Sequence, residues 1–333
     1  MAAMDAVSLG GTDLKITRMC IGTATFGGQC SEQESHLILD RVFEYGINFI
    51  DTADKYPLGS SYESAGISEE IVGRWLKTRS QNSVVATKVH GPTGPDPWNR
   101  GLGRRHIEEA VEASLRRLQV EAIDLYQLHR PDSDTPIDET LGVLNELVIA
   151  GKVRYIGVSN FMAYQIAQAS SKSESLELVK PIAVQLRYNL LFRQPENELL
   201  PFCEEENLGV LAYNPLAGGM LTGKHVKDLP PSKSSRFGST GAAELYRGRY
   251  WNDAAFEAVG RLSSIAADLD LSLTTMATAW LSQQPMVTSV ILGATKVEQL
   301  DLALSSFGVN LDHEVLREID DLTKIFRAAE PGE

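Results

Sequence analysis

Short apolar runs rich in β-branched residues recur along the chain from residue 19 onward, and a longer amphipathic stretch separates each run from the next. The longer stretches place apolar residues at every third or fourth position, as in Arg105–Leu118, and this spacing predicts helices. Runs such as Val287–Leu292 show little alternation, which is typical of parallel strands covered on both faces. Eight repeats favour a closed (β/α)8 TIM barrel of the α/β class over a doubly wound open sheet, which remains the alternative. The predicted strands are Met19–Thr23, Asn48–Ala53, Val84–Val89, Asp124–His129, Tyr155–Ser159, Ala183–Leu186, Gly209–Asn214 and Ser289–Gly293.

Three segments depart from the repeat. Residues 7–16 form two strand-like pieces around Gly10-Gly11, which predicts a β-hairpin that caps one end of the barrel. Residues 215–252 are rich in Gly, Pro and Ser and follow the seventh strand, where a long loop is expected to cover a ligand as a lid. Residues 311–326 predict an extra C-terminal helix. We therefore expect a single domain over 1–333, with the barrel itself at 19–306.

Composition limits the possible partners and location. The 333-residue chain carries a net charge of −13, which argues against a nucleic-acid partner, although one local basic pocket is compatible with it. Its cysteines, Cys20, Cys30 and Cys203, lack Cys-x-x-Cys spacing and are typical of reduced thiols. No secretory signal and no apolar run of about 18 residues is evident, so we expect a cytoplasmic protein without a membrane partner. The spacing of its histidines predicts no metal site.

Four chemically active side chains end or follow the second, third and fourth predicted strands. They are Asp51, Tyr56, Lys88 and His129. In a barrel they converge on one rim, where a phenol tuned by an ammonium and a carboxylate can protonate a carbonyl oxygen. Each residue alone is common in structural roles, but an unpaired buried lysine is costly. Together they indicate a catalytic site for carbonyl reduction.

The chain resembles the aldo-keto reductase family over essentially its whole length, and is similar to the branch that includes potassium-channel β-subunits. The resemblance is carried by five segments in the family's order and spacing: DTADKY at 51–56, ATK at 86–88, DLYQLH at 124–129, GKVRYIGVSN at 151–160 and QLRYN at 185–189. It implies hydride transfer from NADPH to an aldehyde or ketone in a (β/α)8 barrel. It also implies that Tyr56 is the general acid, that Lys88 and Asp51 tune it, and that His129 positions the substrate oxygen.

The resemblance further implies a set of cofactor-binding residues along the barrel rim. Tyr213 corresponds to the aromatic residue that stacks on nicotinamide, the segment from Asn214 to Lys224 to the pyrophosphate loop, and the segment from Gly293 to Gln299 to the site of the adenosine 2′-phosphate. The segment Gly218–Lys224 has P-loop spacing, but His225 stands where a Mg²⁺ ligand belongs, so nucleotide hydrolysis is rejected. The expected cofactor residues are Gly22, Thr23, Asp51, Ser159, Asn160, Gln185, Tyr213, Asn214, Pro215, Leu216, Gly218, Leu221, Lys224, Arg236, Gly293, Thr295, Lys296 and Gln299.

Two departures and two alternatives remain open. Ala303 stands where many relatives have an Asn that faces adenine, which leaves the preference for NADPH over NADH open. The second departure is Asn214, where Ser is common. Trp98 and Trp251 are candidates for the substrate pocket, but they do not define the small-molecule carbonyl substrate. A non-catalytic, NADPH-binding redox sensor and a dedicated keto-deoxysugar reductase are the alternative functions. A homo-oligomer is possible but is not predicted.

Overall fold

The computed structural model describes residues 6–59, 61–79, 82–233, 235–238 and 242–328. A short antiparallel hairpin leads into a closed barrel of eight parallel strands, in which the last strand bonds to the first. The hairpin strands are β1 (Ala6–Ser8) and β2 (Lys15–Thr17). The barrel strands are β3 (Met19–Gly22), β4 (Phe49–Asp51), β5 (Val84–Val89), β6 (Ile123–Leu128), β7 (Val153–Ser159), β8 (Ala183–Arg187), β9 (Gly209–Tyr213) and β10 (Ser289–Gly293).

Helices surround this barrel and cover the outer faces of its strands. They are α1 (Glu32–Glu44), α2 (Ile67–Arg79), α3 (Arg104–Leu118), α4 (Ile137–Ile149), α5 (Ala163–Ser175), α6 (Leu199–Glu205), α7 (Ala243–Tyr250), α8 (Asp253–Asp268), α9 (Leu273–Ser282), α10 (Val297–Leu304) and α11 (His313–Thr323). Four short 3₁₀ segments lie at Tyr62–Ser64, Gln194–Asn197, Ala217–Thr222 and Lys324–Arg327. No helix within the described ranges is long and apolar enough to cross a membrane.

The predicted (β/α)8 fold is confirmed. Because β10 pairs with both β9 and β3, the sheet closes, and the open-sheet alternative is excluded. The hairpin and the extra helix near the C-terminus are present, the latter as α11 and the 3₁₀ turn after it. The predicted lid contains the 3₁₀ segment Ala217–Thr222 and α7, while its residues 234 and 239–241 lie outside the described residues. The division of the chain into domains and the role of the lid remain predictions.

The hairpin closes the amino-terminal end of the barrel. Leu9 and Ile16 are fully buried and pack with inward side chains of the barrel strands, including Phe49 and Leu211. At the turn, Gly10 has φ +56°, and a Cβ there would lie 2.0 Å from the backbone oxygen of Ile182. Only glycine allows the turn to press so closely against the barrel.

Close packing of α2 on α3 gives a first testable prediction. A Cβ on Gly73 would lie 2.0 Å from the carbonyl oxygen of Arg117, whereas a Cβ on Gly142 in α4 would meet nothing within 4 Å. We expect Gly73→Ala to destabilise the protein by about 1–3 kcal/mol, because the two helices would have to separate. Gly142→Ala is the matched control and should stabilise by up to about 1 kcal/mol through helix propensity. Urea unfolding measures both, and equal effects would contradict the packing argument.

Candidate active site

Strand register brings the polar side chains of the barrel into layers above its apolar floor. Inward side chains recur every second residue along a strand, so Asp51 stands above Phe49 and Lys88 stands above Ala86. The pairing of β4 with β5 places Asp51 opposite Ala86, which lies two residues before Lys88 on the same strand. All of these groups lie towards the carboxyl ends of the strands, where barrel active sites occur.

Asp51 and Lys88 form a buried ion pair at the centre of the site. The Lys88 side chain is fully buried, and its Nζ lies 2.5 Å from Asp51 Oδ2 and 2.8 Å from the carbonyl oxygen of Thr52. The second carboxylate oxygen accepts bonds from the amides of Gln127 at 3.0 Å and Gln185 at 2.8 Å. Burial opposes the charge on Lys88, but Asp51 and Tyr56 outweigh it and raise the pKa of the lysine above its usual value. Lys88 therefore keeps its charge, and both carboxylate oxygens of Asp51 accept hydrogen bonds.

Tyr56 lies beside this pair. Lys88 Nζ is 5.0 Å from the centre of the Tyr56 ring, and the ring of His129 stands edge-on to it at a centroid distance of 5.8 Å. Burial raises the pKa of the Tyr56 phenol, and Lys88 lowers it only in part. The sequence predicts that Lys88 and Asp51 tune this phenol, whereas burial has the larger effect on its pKa. Tyr56 thus keeps its proton at neutral pH.

His129 is the neutral partner in this group. Burial, followed by repulsion from Lys88, Lys55 and Arg130, holds the pKa of its imidazole well below the usual value. Its Nδ1 is buried and has no hydrogen-bond partner in the part of the chain that the structure describes. The backbone oxygen of His129 accepts a bond of 3.0 Å from the amide of Asn160, which fixes the end of β6 against the end of β7.

The predicted nicotinamide residues occupy the neighbouring strand ends, and four of them, Asn160, Tyr213, Gln185 and Thr23, make hydrogen bonds within the protein. Asn160, at φ +60°, accepts a bond of 2.9 Å from the Tyr213 hydroxyl, and burial raises the pKa of that phenol to about 12. Gln185 donates to Asp51, and the buried Thr23 bonds to Asp51 and Ser68. Asn160 is exposed and Tyr213 is half-buried, whereas Gln185 and Thr23 are buried. Gly22 lies at the end of β3, and Ser159 is buried at the end of β7.

The segment after β9 is a tight turn held by one asparagine. Asn214, at φ +62°, accepts a bond of 2.7 Å from the Gly218 amide and donates one of 2.8 Å to the Tyr250 hydroxyl. A Cβ on Gly218 would lie 2.4 Å from the ring of Tyr246 in α7, and a Cβ on Gly219 would lie 3.7 Å from Lys224 Nζ. The turn thus brings the Lys224 ammonium against glycine backbone. Pro215 and Leu221 are buried beneath it, and Leu216 is half-buried.

The predicted phosphate segment lies at the open start of α10. Gln299 Oε1 accepts bonds from the backbone and the hydroxyl of Thr295, at 2.8 and 3.2 Å, and Lys296 is the exposed N-cap residue. Arg236 reaches this segment from the predicted lid, because its Nη2 is 3.8 Å from the position of a Cβ on Gly293. The same guanidinium donates to the Tyr246 hydroxyl at 3.0 Å. A continuous strip of groups therefore runs from the turn after β9 to α10.

The two pocket candidates have different surroundings. Trp98 is 46% exposed, with the Arg105 guanidinium 4.8 Å from its ring. Trp251 packs among Phe237, His225 and Phe256 at centroid distances of 5.0 to 5.3 Å. Their contact with a substrate remains a prediction.

Four groups near the site were not predicted from the sequence, namely Gln127, Arg187, Tyr246 and Arg249. Gln127 and Arg187 could have been found from strand alternation, since each lies two residues from an inward-facing neighbour, Leu125 and Gln185. No local pattern indicates Tyr246, which reaches the site through the fold of α7. Across the described ranges, no group of three or more His, Cys, Asp or Glu side chains could hold a metal ion.

Comparison with known proteins identifies relatives along almost the whole chain. Residues 18–324 match the model of the aldo/keto reductase family. The chain is 34% identical to YrpG of Bacillus subtilis, described as an uncharacterized oxidoreductase, over 96% of both chains. It is 37% identical to a probable voltage-gated potassium channel subunit beta of Arabidopsis thaliana over 89% of each, and 33% identical to protein tas of Escherichia coli over 96% of this chain and 98% of that protein.

Proposed function

The chain belongs to the aldo/keto reductase family, and from this premise we propose that it reduces a small-molecule aldehyde or ketone to an alcohol with NADPH. The observation that carries the proposal is the arrangement of Tyr56, Lys88, Asp51 and His129. A phenol that keeps its proton, a buried ammonium beside it and a neutral imidazole edge-on to its ring supply a proton donor and a binding group for a carbonyl oxygen.

The residues present fit an NADPH molecule. Three cations, Lys224, Arg236 and Lys296, lie along the strip from the turn after β9 to the start of α10, although the protein as a whole is acidic. Cations beside glycine backbone and at a helix start are suited to a pyrophosphate and a further phosphate. Tyr213 at the end of β9 offers an aromatic face to the nicotinamide ring. We assign the cofactor to this strip and to the strand ends beside it.

In the proposed reaction, the side chains of the barrel protonate the substrate oxygen. NADPH, when bound, supplies a hydride to the carbonyl carbon. Tyr56 donates its phenolic proton to the carbonyl oxygen, and Lys88 stabilises the phenolate that remains until solvent reprotonates it. Asp51 keeps Lys88 charged in a buried position, and neutral His129 hydrogen-bonds to the carbonyl oxygen and orients it. The electrostatic groups are already in place before the substrate binds, so little reorganisation is needed.

The test is NADPH oxidation, followed by absorbance, against a panel of aromatic aldehydes, aliphatic aldehydes, quinones and sugars. Turnover of at least one compound is expected. If NADPH binds but no compound is turned over, the reductase proposal loses its support, and a failure of NADPH to bind contradicts the cofactor assignment.

The pH dependence of reduction follows from the two shifted groups. Tyr56 must be protonated to act as the acid, and its pKa is raised above the usual value of about 10, so activity is lost only when pH rises through this alkaline range. The lowered pKa of His129 removes any titration near pH 6.5. We expect kcat/KM to be flat between about pH 6 and 9. A step near pH 6.5, measured with a non-titrating aldehyde, would contradict a neutral His129.

Lys296 is expected to distinguish NADPH from NADH. If its ammonium binds the adenosine 2′-phosphate, Lys296→Met should raise KM for NADPH about tenfold and leave KM for NADH unchanged, because only NADPH has that phosphate. Lys227, an exposed lysine paired with Asp253, gives the matched control Lys227→Met. Equal loss with both cofactors, measured by steady-state kinetics, would show that Lys296 does not contact this phosphate.

A second candidate is a non-catalytic NADPH-binding subunit. The observation that favours it is the 37% identity to a probable voltage-gated potassium channel subunit beta. In that case NADPH would bind with Tyr213 and Lys224 in the same roles, but no aldehyde of the panel would be reduced. A keto-deoxysugar substrate and a cytoplasmic location remain predictions.

A further inference from the structure

Arg187 is the last residue of β8. Its register partner in β9 is Tyr213, and its side chain points inward because Gln185, two residues earlier, points inward to Asp51. The side chain is 6% exposed, and the guanidinium carbon stands 3.5 Å from the centre of the Phe192 ring. A guanidinium that stacks on an aromatic ring keeps its N–H bonds in its own plane, where they remain able to donate to other groups.

Arg249 approaches the same place from the predicted lid. It lies in the last turn of α7, and its Nε is buried without a hydrogen-bond partner among the described residues. Arg249 directly precedes Tyr250, whose hydroxyl accepts bonds from Asn189, two residues after Arg187, and from Asn214, which follows Tyr213. Both arginines also act against the burial that raises the pKa of the Tyr213 and Tyr250 phenols. A buried N–H donor without a partner is costly, which favours a ligand that accepts its bond.

Two links connect the surroundings of these arginines with the reactive groups. The Tyr213 hydroxyl is linked through Asn160 to the backbone of His129. Tyr246, three residues before Arg249 in α7, lies near enough to Tyr56 to contribute to the raised pKa of its phenol. Asp51, the carboxylate at the centre of the site, is paired with Lys88 and not with either arginine.

We propose that Arg187 and Arg249 bind an oxyanion carried by the carbonyl substrate, such as a carboxylate, and so select acidic aldehydes or ketones over neutral ones. This rests on the proposed reductase function. A guanidinium has five N–H donors in a planar fork, so Arg187 can bind a substrate oxygen alongside its other partners. Arg249 supplies the second charge from the lid side. The substrate oxyanion is then held at one edge of the pocket, while its carbonyl points to Tyr56 and His129.

The test compares 4-carboxybenzaldehyde with its methyl ester, which has similar reactivity at the aldehyde but no charge. The expected preference of the natural protein is about 10- to 100-fold in kcat/KM for the acid, the range that a charge-assisted hydrogen bond provides. Arg249→Met and Arg187→Met should each remove most of this preference and change kcat/KM for the ester by less than about threefold. Arg249→Lys and Arg187→Lys, which keep the charge, should retain part of it. Arg247→Met, an exposed arginine in the same helix, is the matched control and should behave like the natural protein.

Three results would overturn the proposal. They are equal kcat/KM for acid and ester in the natural protein, equal losses for both in the Arg→Met variants, and a weaker Kd for NADPH with an unchanged acid preference. The last would assign the arginines to the cofactor pyrophosphate, and fluorescence titration with NADPH alone measures it.

Failure of the reductase function itself is separated by a binding measurement. If neither aldehyde is turned over, calorimetric titration of 4-(hydroxymethyl)benzoate into the NADPH complex still reports on the anion site. Binding that Arg249→Met weakens about tenfold or more supports the site without turnover. No binding to the natural protein overturns it.

Discussion

Tyr56→Phe is expected to lower kcat for carbonyl reduction by about 10²- to 10⁴-fold, the usual contribution of a positioned general acid. The change removes one oxygen and the proton that it carries. Lys88 and Asp51 keep their own hydrogen bonds to Thr52, Gln127 and Gln185, so the buried pair remains in place. The Kd for NADPH and the stability of the protein should change little.

Single-turnover kinetics with saturating NADPH measure the loss, and fluorescence titration measures cofactor binding. Tyr45→Phe is the matched control, because Tyr45 ends α1 on the outside of the barrel and the same single oxygen is removed there. A Tyr56→Phe protein with more than about a tenth of the natural kcat would exclude Tyr56 as the proton donor. The reaction would then have to take its proton from another group.

Lys88→Met is expected to destabilise the protein by about 3–5 kcal/mol, because it leaves the Asp51 carboxylate buried without its cation. Asp51→Asn leaves the Lys88 ammonium in the same condition and should have a cost of similar size. The double variant removes both charges. Since neither charge is then unpaired, it should be more stable than the sum of the two single losses would give.

Urea unfolding of the four proteins completes this double-mutant cycle. In the double variant, the amides of Gln127 and Gln185 can still donate to the side-chain oxygen that Asp51→Asn retains, which limits the residual cost. Strict additivity of the two single losses would show that the ion pair has no net coupling. The second result to record is activity. It should be low in Lys88→Met and in the double variant, because Tyr56 loses the ammonium that stabilises its phenolate. It should also fall in Asp51→Asn, because Lys88 loses the carboxylate that favours its charged form.

The barrel could be predicted because its sequence signal is repeated eight times and each repeat is consistent with the others. Val84–Val89 and Ser289–Gly293 were predicted to the residue, and each contains consecutive β-branched residues, which favour strands. β4 spans Phe49–Asp51, whereas the prediction was Asn48–Ala53. After Asp51 the chain leaves the strand, and the Asp54 amide donates to the backbone oxygen of Lys88. Strand ends depend on such contacts, which a single strand does not encode.

Site residues could be predicted where the residue type itself indicates the chemistry. They could not be predicted where the role depends on a contact with a residue distant in sequence. Asp51 and Lys88 could be named from the cost of burying a lone lysine, and the structure joins them at 2.5 Å. The bond from Gln185 to Asp51 was not foreseen, because it spans 134 positions along the chain. Arg249 and Tyr246 were missed for the same reason, as their place depends on how α7 lies over the barrel. The sequence also could not show that burial would outweigh Lys88 at the Tyr56 phenol.

The hairpin at the amino-terminal end of the barrel affects how two ligands can reach one site. Leu9 and Ile16 close that end with apolar side chains, so we expect ligands to enter the candidate site from the opposite end of the barrel. A cofactor and a substrate that react there must share this entrance, and the one that binds deeper must enter first and leave last. Initial-rate patterns should therefore be those of ordered sequential addition, with both ligands present at once, and never those of a ping-pong scheme in which one product departs before the second ligand arrives.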